Sequence, residues 1–171
     1  EPDPITTDTI NSPVYSNGTN VSCVGANDGI INLDVSGGSG CLGYDFSWTG
    51  PNGYSASTKD IFGLEAGTYV VTVTDANGCT YQDSITLTEP DPMEIQAFPT
   101  TYNGYNVSCF GQSNGLINIS VSSGTSPYSF MWNNGETTED IDSLSAGTYI
   151  VTVTDDLGCF STLDIELVEP P

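Results

Sequence analysis

One stretch of this sequence occurs twice, 80 positions apart, and it constrains the fold more than any other feature. The first copy is Gly67–Cys79 and the second is Gly147–Cys159. In both copies β-branched and aromatic residues alternate with Thr, and this period of two indicates a half-buried β-strand. A glycine directly before each cysteine predicts a turn, because glycine tolerates a positive φ. We therefore predict a β-hairpin in each copy, with a cysteine at its bend.

The rest of each copy reads as short strands separated by turns. The segments Tyr44–Trp48 and Tyr128–Trp132 carry an aromatic residue at every second position, which predicts that both tryptophans lie in a hydrophobic core. No helical period occurs. About seven short strands per copy predict an all-β chain of two tandem immunoglobulin-like antiparallel β-sandwich domains. Tyr69 and Tyr149 follow Ala-Gly, where immunoglobulin-like domains carry a tyrosine corner.

A proline-rich joint marks the domain boundary. The motif Glu-Pro-Asp-Pro opens the chain and recurs at positions 89–92. Because proline fixes φ and restricts the preceding residue, we expect a stiff joint between domains 1–89 and 90–171. No apolar run approaches the roughly 20 residues that span a bilayer, and no signal peptide is recognisable. We expect a mature or excised fragment without direct membrane insertion.

The charge of the chain excludes several functions. One basic residue, Lys59, stands against 22 acidic residues, which gives a net charge of -21 without any histidine. Such a surface repels nucleic acid, because binding requires Lys or Arg to neutralise phosphate. No acid–base or nucleophilic constellation recurs in both copies, so we predict that the chain is not an enzyme.

The acidic residues leave two interpretations open, a solvated surface or Ca²⁺ sites. Carboxylates are hard oxygen ligands, and Asp28 and Asp75 flank turns that we expect at one pole of the first domain. Glu89 and Asp91 lie at the joint. Asp and Asn next to Gly are also ordinary turn formers, so calcium is the only cofactor hypothesis and it competes with a structural role.

The cysteine pairing is predicted from strand parity, that is, from whether an even or an odd number of alternating strands separates two cysteines. An even number returns the chain to the pole at which it began. Four alternating strands between Cys23 and Cys79 would place both cysteines at one pole, and the same count places Cys109 beside Cys159. We therefore predict disulfides Cys23–Cys79 and Cys109–Cys159. Cys41 has no counterpart in the second copy and is predicted to be a free thiol. An extra strand after Trp48 would invert the parity.

The ordered motifs resemble the SprB repeat. Cys-x-Gly-x-x-(Asp/Asn)-Gly, Tyr-x-Phe-x-Trp, Leu-x-Ala-Gly-Thr-Tyr-x-Val-Thr-Val-Thr-Asp and Gly-Cys follow one another within Cys23–Cys79 and again within Cys109–Cys159. Such repeats are typical of large surface adhesins of Bacteroidetes, including a gliding-motility adhesin. The resemblance implies a secreted segment on the exterior of the outer membrane, exported by the type IX route, with neighbouring repeats of the same polypeptide as partners.

Two functions compete under this resemblance. In the first, the repeats are stiff spacers that hold a distant adhesive tip away from the cell. In the second, they are carbohydrate-binding modules that contact surface polysaccharides through the loop tyrosines Tyr15, Tyr54, Tyr102 and Tyr105. Stacking on a sugar would need several of these rings exposed on one face, whereas a spacer needs only buried cores and a stiff joint.

Overall fold

The computed structural model describes residues 3–38 and 43–171. The chain forms two compact units, Glu1–Pro90 and Asp91–Pro171, whose boundary lies one residue from the boundary expected from the prolines. Each unit is an antiparallel β-sandwich, which confirms the predicted fold class. Within the described ranges, no helix has the length and apolar character that crossing a membrane would require.

Among its described residues, unit 1 contains seven strands in two sheets. The strands are β1 (Thr6–Asn11), β2 (Gly29–Ser36), β3 (Tyr44–Thr49), β4 (Ser55–Ala56), β5 (Ile61–Leu64), β6 (Gly67–Asp75) and β7 (Thr80–Leu87). One sheet has the order β1-β2-β5 and the other the order β4-β3-β6-β7, which is the immunoglobulin-like arrangement. The predicted hairpin is β6–β7, paired from Gly67 against Leu87 to Thr74 against Thr80.

Unit 2 repeats this arrangement with six strands among its described residues. The strands are β8 (Glu94–Pro99), β9 (Gly115–Ser122), β10 (Ser129–Trp132), β11 (Ile141–Leu144), β12 (Gly147–Thr154) and β13 (Phe160–Leu167). Its sheets have the orders β8-β9-β11 and β10-β12-β13. The second predicted hairpin is β12–β13.

The two tryptophans form the centre of the two cores, as predicted. Trp48 is 1% exposed and Trp132 is 2% exposed. Each indole N–H donates to a backbone carbonyl at 2.9 Å, from Trp48 to Thr58 and from Trp132 to Thr138. The polar atom of each ring is therefore satisfied while its apolar surface is buried, which a core tryptophan requires.

The tyrosine corner is also confirmed in both units. Tyr69 Oη donates to the carbonyl of Glu65 at 3.0 Å, and Tyr149 Oη donates to the carbonyl of Ser145 at 3.0 Å. Burial of the Tyr69 ring raises the pKa of its hydroxyl. The hydroxyl therefore stays protonated and remains a donor that fixes the connection into β6.

Each unit has an amino pole, where the chain enters, and a carboxyl pole, where it leaves. In unit 1 the amino pole holds the start of β1, where Thr6 pairs with Ser36, and the end of β6, where Asp75 pairs with Tyr44. The carboxyl pole holds the end of β7, where Leu87 pairs with Gly67. In unit 2 the same strand ends lie at the corresponding poles.

A short return segment after Trp48 adds one pass between the poles to the four that the sequence suggested. After Trp48 the chain turns through Pro51–Gly53, forms β4 against β3, and crosses to the other sheet before β5 begins. It therefore passes between the poles five times, not four, between Cys23 and Cys79. In unit 2 a tight turn follows Trp132, whose N–H donates to the carbonyl of Glu136 at 2.9 Å, and the chain returns in the same way.

Candidate functional site

The carboxyl pole of each unit carries a long loop, the carboxyl-pole loop, which comprises residues 12–28 in unit 1 and 100–114 in unit 2. This loop is bound to the end of the last strand. The N–H groups of Asn20 and Val21 donate to the carbonyl of Thr88 at 3.0 and 3.1 Å, and Thr88 N–H donates to Asn20 Oδ1 at 3.0 Å. Val21 is fully buried beneath the loop. The loop is therefore a fixed cap on the sandwich.

The second unit builds the same cap with the same residue types. Asn106 and Val107 donate to the carbonyl of Val168 at 2.8 and 3.2 Å, and Val168 N–H donates to Asn106 Oδ1 at 3.0 Å. Val107 is fully buried. The duplication of this contact shows that it belongs to the repeat and is not particular to one copy.

Glu89, a predicted metal ligand, instead closes this cap. Its Oε2 accepts a 2.7 Å hydrogen bond from the N–H of Gly25, and Glu169 accepts one from Gly111 at 2.8 Å. Gly25 and Gly111 have φ of 69° and 71°, a conformation that costs little only for glycine. The glutamate before each proline therefore anchors the loop to the departing chain.

Asp28, a second predicted ligand, is also engaged by the loop. Its Oδ2 accepts from Tyr15 Oη at 2.9 Å and its Oδ1 accepts from the N–H of Ser22 at 3.1 Å. Burial opposes ionisation of this carboxyl, but the hydrogen bonds from Ser22 and Tyr15 outweigh it, and the pKa of Asp28 lies below its ordinary value. The hydrogen bond between Tyr15 and Asp28 raises the pKa of the Tyr15 hydroxyl. In unit 2 Asn114 takes this place and accepts from Ser108 N–H at 3.1 Å.

Asp75 lies at the opposite pole from Asp28, so the expectation that the two share a pole is wrong. Its Oδ1 accepts from the N–H groups of Asn77 and Cys79, both at 2.9 Å, and holds the β6–β7 turn. The extra return segment is the reason, because it reverses the direction in which β6 runs. Asp91, the fourth predicted ligand, is exposed.

No group of three or more His, Cys, Asp or Glu residues positioned for a metal ion occurs in the part of the chain that the structure describes. Three of the four predicted ligands accept backbone N–H groups. This geometry does not test the calcium hypothesis, which stays a hypothesis beside the structural role of these carboxylates.

The fifth pass between the poles also contradicts the disulfide prediction. Cys79 and Cys109 are exposed free thiols, so the predicted pairs Cys23–Cys79 and Cys109–Cys159 are wrong. Cys23 and Cys159 are each part of a disulfide. Within unit 1, Cys23 lies at the carboxyl pole and Cys79 at the amino pole, too far apart for a disulfide across the sandwich. Cys41, the predicted free thiol, lies outside the described residues.

The four loop tyrosines do not form an open aromatic surface. Tyr15, Tyr54 and Tyr105 are half-buried, and Tyr102 is 38% exposed. The Tyr54 ring packs edge-on against Tyr69, with ring centroids 5.3 Å apart and an interplanar angle of 83°. Tyr102 and Tyr105 join their backbones in a bridge with N···O distances of 2.6 and 3.0 Å. Their contacts are structural.

A groove beside Tyr15 lies at the carboxyl pole of unit 1. Its polar groups are already paired, since Tyr15 Oη donates to Asp28. Val14 and Ile30 remain 64% and 40% exposed at its edge. The groove is lined by Pro13, Val14, Tyr15, Asn20, Asp28 and Ile30.

The only basic side chain contributes little to a site. Lys59 Nζ donates to Asp34 Oδ1 at 2.7 Å, and both side chains are exposed. This hydrogen bond lowers the pKa of Asp34 and raises the pKa of Lys59. Exposed ion pairs are screened by water, so the contact adds little to stability.

Sequence reasoning missed the structural carboxylates, although a signal for them was present. Asp60 accepts from Leu33 N–H at 3.0 Å, and Asp140 accepts from Ile119 N–H at 2.9 Å. The pairs Asp60/Asp140, Asp75/Asp155 and Glu89/Glu169 all recur at the spacing of the repeated hairpin. An acidic residue that recurs at the same place in both copies was the available indication of a structural role.

Comparisons with solved structures return chains that contain immunoglobulin-like domains. A C-terminal fragment of intimin, in complex with the intimin-binding domain of its translocated receptor, matches at 12% identity with a TM-score of 0.43. Dpr2 Ig1-Ig2, in complex with DIP-Theta, matches at 13% and 0.33, and the eight N-terminal Ig domains of DSCAM at 15% and 0.34.

These matches cover 95%, 98% and 98% of this chain in the order just given. This chain spans 64% of the intimin fragment, 66% of the Dpr2 complex chain and 27% of the DSCAM chain. Comparison with curated proteins gives no sequence match.

The SprB repeat family model matches the chain twice, over residues 16–53 and 101–137. One match falls in each unit and covers the carboxyl-pole loop, β2 or β9, and the tryptophan strand. The resemblance seen in the motifs is thereby confirmed, with one match to the SprB repeat in each of the two tandem copies.

Proposed function

We propose that this chain is a non-enzymatic spacer segment of a secreted bacterial cell-surface adhesin, used in adhesion or gliding motility. The observation that carries the proposal is the path of the chain through each unit. The chain enters at the amino pole and leaves at the carboxyl pole, and the β-sandwich between them is closed around one tryptophan. A repeat built in this way transmits a load applied at its two ends through its own fold.

The carboxyl-pole cap supports this function. The departing chain at Thr88–Glu89 is held by hydrogen bonds to three residues of the loop, Asn20, Val21 and Gly25. A load on the departing chain therefore acts on a hydrogen-bonded cap before it reaches the end of β7. Unit 2 repeats these contacts with Val168 and Glu169.

Single-molecule force spectroscopy on the full chain, pulled from its two ends in a reductant, tests this proposal. We expect two discrete unfolding events, each releasing about 250–300 Å of chain at about 3.5 Å per residue. The matched control is Trp48→Ala, which weakens one core and should lower the force of one event only. Extension without discrete unfolding events would contradict the spacer function.

The alternative, a carbohydrate-binding module, makes a different prediction. The half-buried rings of Tyr15, Tyr54 and Tyr105 favour the spacer, because stacking on a sugar requires an open ring face. A screen of the full chain against arrayed bacterial surface polysaccharides separates the two functions. A spacer should bind none of them, whereas binding that Tyr102→Ala abolishes would establish the alternative.

A further inference from the structure

The cysteines lie at corresponding places in the two units but differ in their oxidation state. Cys23 and Cys109 both follow the buried valine of the carboxyl-pole loop, and Cys79 and Cys159 both close the hairpin turn at the amino pole. In unit 1 the carboxyl-pole cysteine is in a disulfide and the amino-pole cysteine is free. In unit 2 the carboxyl-pole cysteine, Cys109, is free and the amino-pole cysteine, Cys159, is in a disulfide. Each of the two positions is therefore used for a disulfide in one copy of the repeat.

The number of strands between them prevents Cys79 from pairing with Cys23 and Cys109 from pairing with Cys159. Cys79 and Cys23 lie at opposite poles of unit 1, and Cys109 and Cys159 lie at opposite poles of unit 2. Each sandwich separates these two cysteines by the length of its strands, about 25 Å for an eight-residue strand. A partner for Cys109 must therefore come from outside its own sandwich. Unit 1 has a third cysteine, Cys41, which lies outside the described residues.

We propose that Cys79 and Cys109 are cross-linking sites, each of which forms a disulfide with the opposite-pole cysteine of another copy of this repeat. An amino-pole thiol then pairs with a carboxyl-pole thiol, so consecutive repeats are joined covalently in addition to their peptide link. The proposal rests on the spacer function and deepens it, because such a bond would keep a repeat attached to its neighbour under load.

The surroundings of Cys109 fit a partner of this kind. Cys109 is exposed, and the next residue, Phe110, is 73% exposed. Val24 takes the place of Phe110 in unit 1 and is 50% exposed. Covering a large apolar side chain that is exposed to water beside an exposed thiol is favourable, because apolar surface is removed from water. Cys79, on the short β6–β7 turn at the amino pole, is also exposed.

The chemistry requires an external disulfide as oxidant. The thiolate of Cys79 attacks a disulfide such as oxidised glutathione, forms a mixed disulfide and releases one thiol. The thiolate of Cys109 from another copy then attacks the Cys79 sulfur and releases the second thiol. Two cysteine thiols lose two electrons and two protons, and the external disulfide becomes two thiols.

Oxidation of the full chain in a Cys41→Ser background tests the proposal. With oxidised glutathione, we expect a ladder of dimers, trimers and longer species on a non-reducing gel, with Cys79–Cys109 as the cross-linked peptide. Cys79→Ser and Cys109→Ser should each remove the cross-linked species, the dimer included. The matched control is Cys79→Ser with Ser84→Cys, which moves the thiol to an exposed position in β7 and should give no ladder.

Three outcomes would overturn the proposal. They are glutathionylation without cross-links, a mixture in which Cys79–Cys79 and Cys109–Cys109 peptides are as abundant as Cys79–Cys109, and an equal ladder from the Ser84→Cys control. None of them affects the force experiment, which is run in a reductant. Loss of discrete unfolding events would instead refute the spacer function and leave the cross-link assay unchanged.

Discussion

The carboxylate of Asp155 accepts a 2.9 Å hydrogen bond from the N–H of Cys159, so one buried acid fixes the turn that presents the cysteine. The same carboxylate accepts from Leu157 N–H at 3.0 Å and from Thr125 N–H at 2.9 Å. Asp155 is 7% exposed and Asp75, its counterpart, is 5% exposed. The hairpin bend is therefore held by a buried acceptor whose oxygens are both used.

We predict that Asp155→Asn destabilises unit 2 by about 1–3 kcal/mol, because an amide has one acceptor oxygen and leaves a buried N–H without a partner. The measurement is the free energy of unfolding in urea. The control is Asp156→Asn, the exposed neighbour, which should change little. Equal stability of the two variants would show that the buried acceptor is dispensable.

The tryptophans give the second prediction. Trp48→Ala should cost unit 1 about 3–5 kcal/mol, because it leaves a cavity in the core and removes a buried indole. The remaining Trp132 then reports unit 2 alone by fluorescence, while circular dichroism reports both units. We expect an early transition seen only by circular dichroism. Met131→Ala, at a residue 67% exposed, is the control and should melt as the parent chain does.

The third prediction concerns acid and follows from the lowered pKa of Asp28. Because the folded pKa lies below the unfolded value of about 3.9, the stability from this carboxylate is present above pH 4 and is lost as the pH falls through the folded pKa. Asp28→Asn should therefore flatten the acid side of the stability curve of unit 1. Since unit 2 already carries Asn114 here, the variant should still fold.

Tyr15→Phe provides the matched variant for this prediction. It removes the hydroxyl that donates to Asp28 at 2.9 Å and leaves the Ser22 hydrogen bond in place. The acid dependence should become shallower than in the parent but steeper than in Asp28→Asn. Three identical acid unfolding curves would show that Asp28 contributes nothing to the pH dependence.

The fourth prediction concerns calcium. Asp28, Asp75 and Glu89 already accept backbone N–H groups, and a cation would have to displace these donors. We therefore expect the same melting temperature in millimolar Ca²⁺ and in excess chelator, measured by calorimetry. A ligand that binds only the folded chain would raise it. A rise that Glu89→Gln or Asp28→Asn removes would establish the site that the sequence suggested.

The sequence determined the local elements of this protein. The alternation in Gly67–Asp75, the aromatic period at Tyr44–Trp48 and the duplication of both predicted the hairpins, the buried tryptophans, the tyrosine corners and the β-sandwich. These features depend on which face of a strand each residue occupies, and that is set by a period of two residues along the chain. Local patterns therefore sufficed to predict them.

Only the tertiary structure decided which residues meet at a pole. The two-residue strand Ser55–Ala56 and the polar crossing at Thr58–Asp60 reverse the direction of the chain, yet they are too short and too polar to show a hydrophobic period. Because each reversal exchanges the poles for everything that follows, this one segment separated Cys23 from Cys79 and Asp28 from Asp75. The number of times the chain passes between the poles depends on every segment of its path. Here the shortest segment, which is held by a hydrogen bond from the Trp48 indole to Thr58, determined that number.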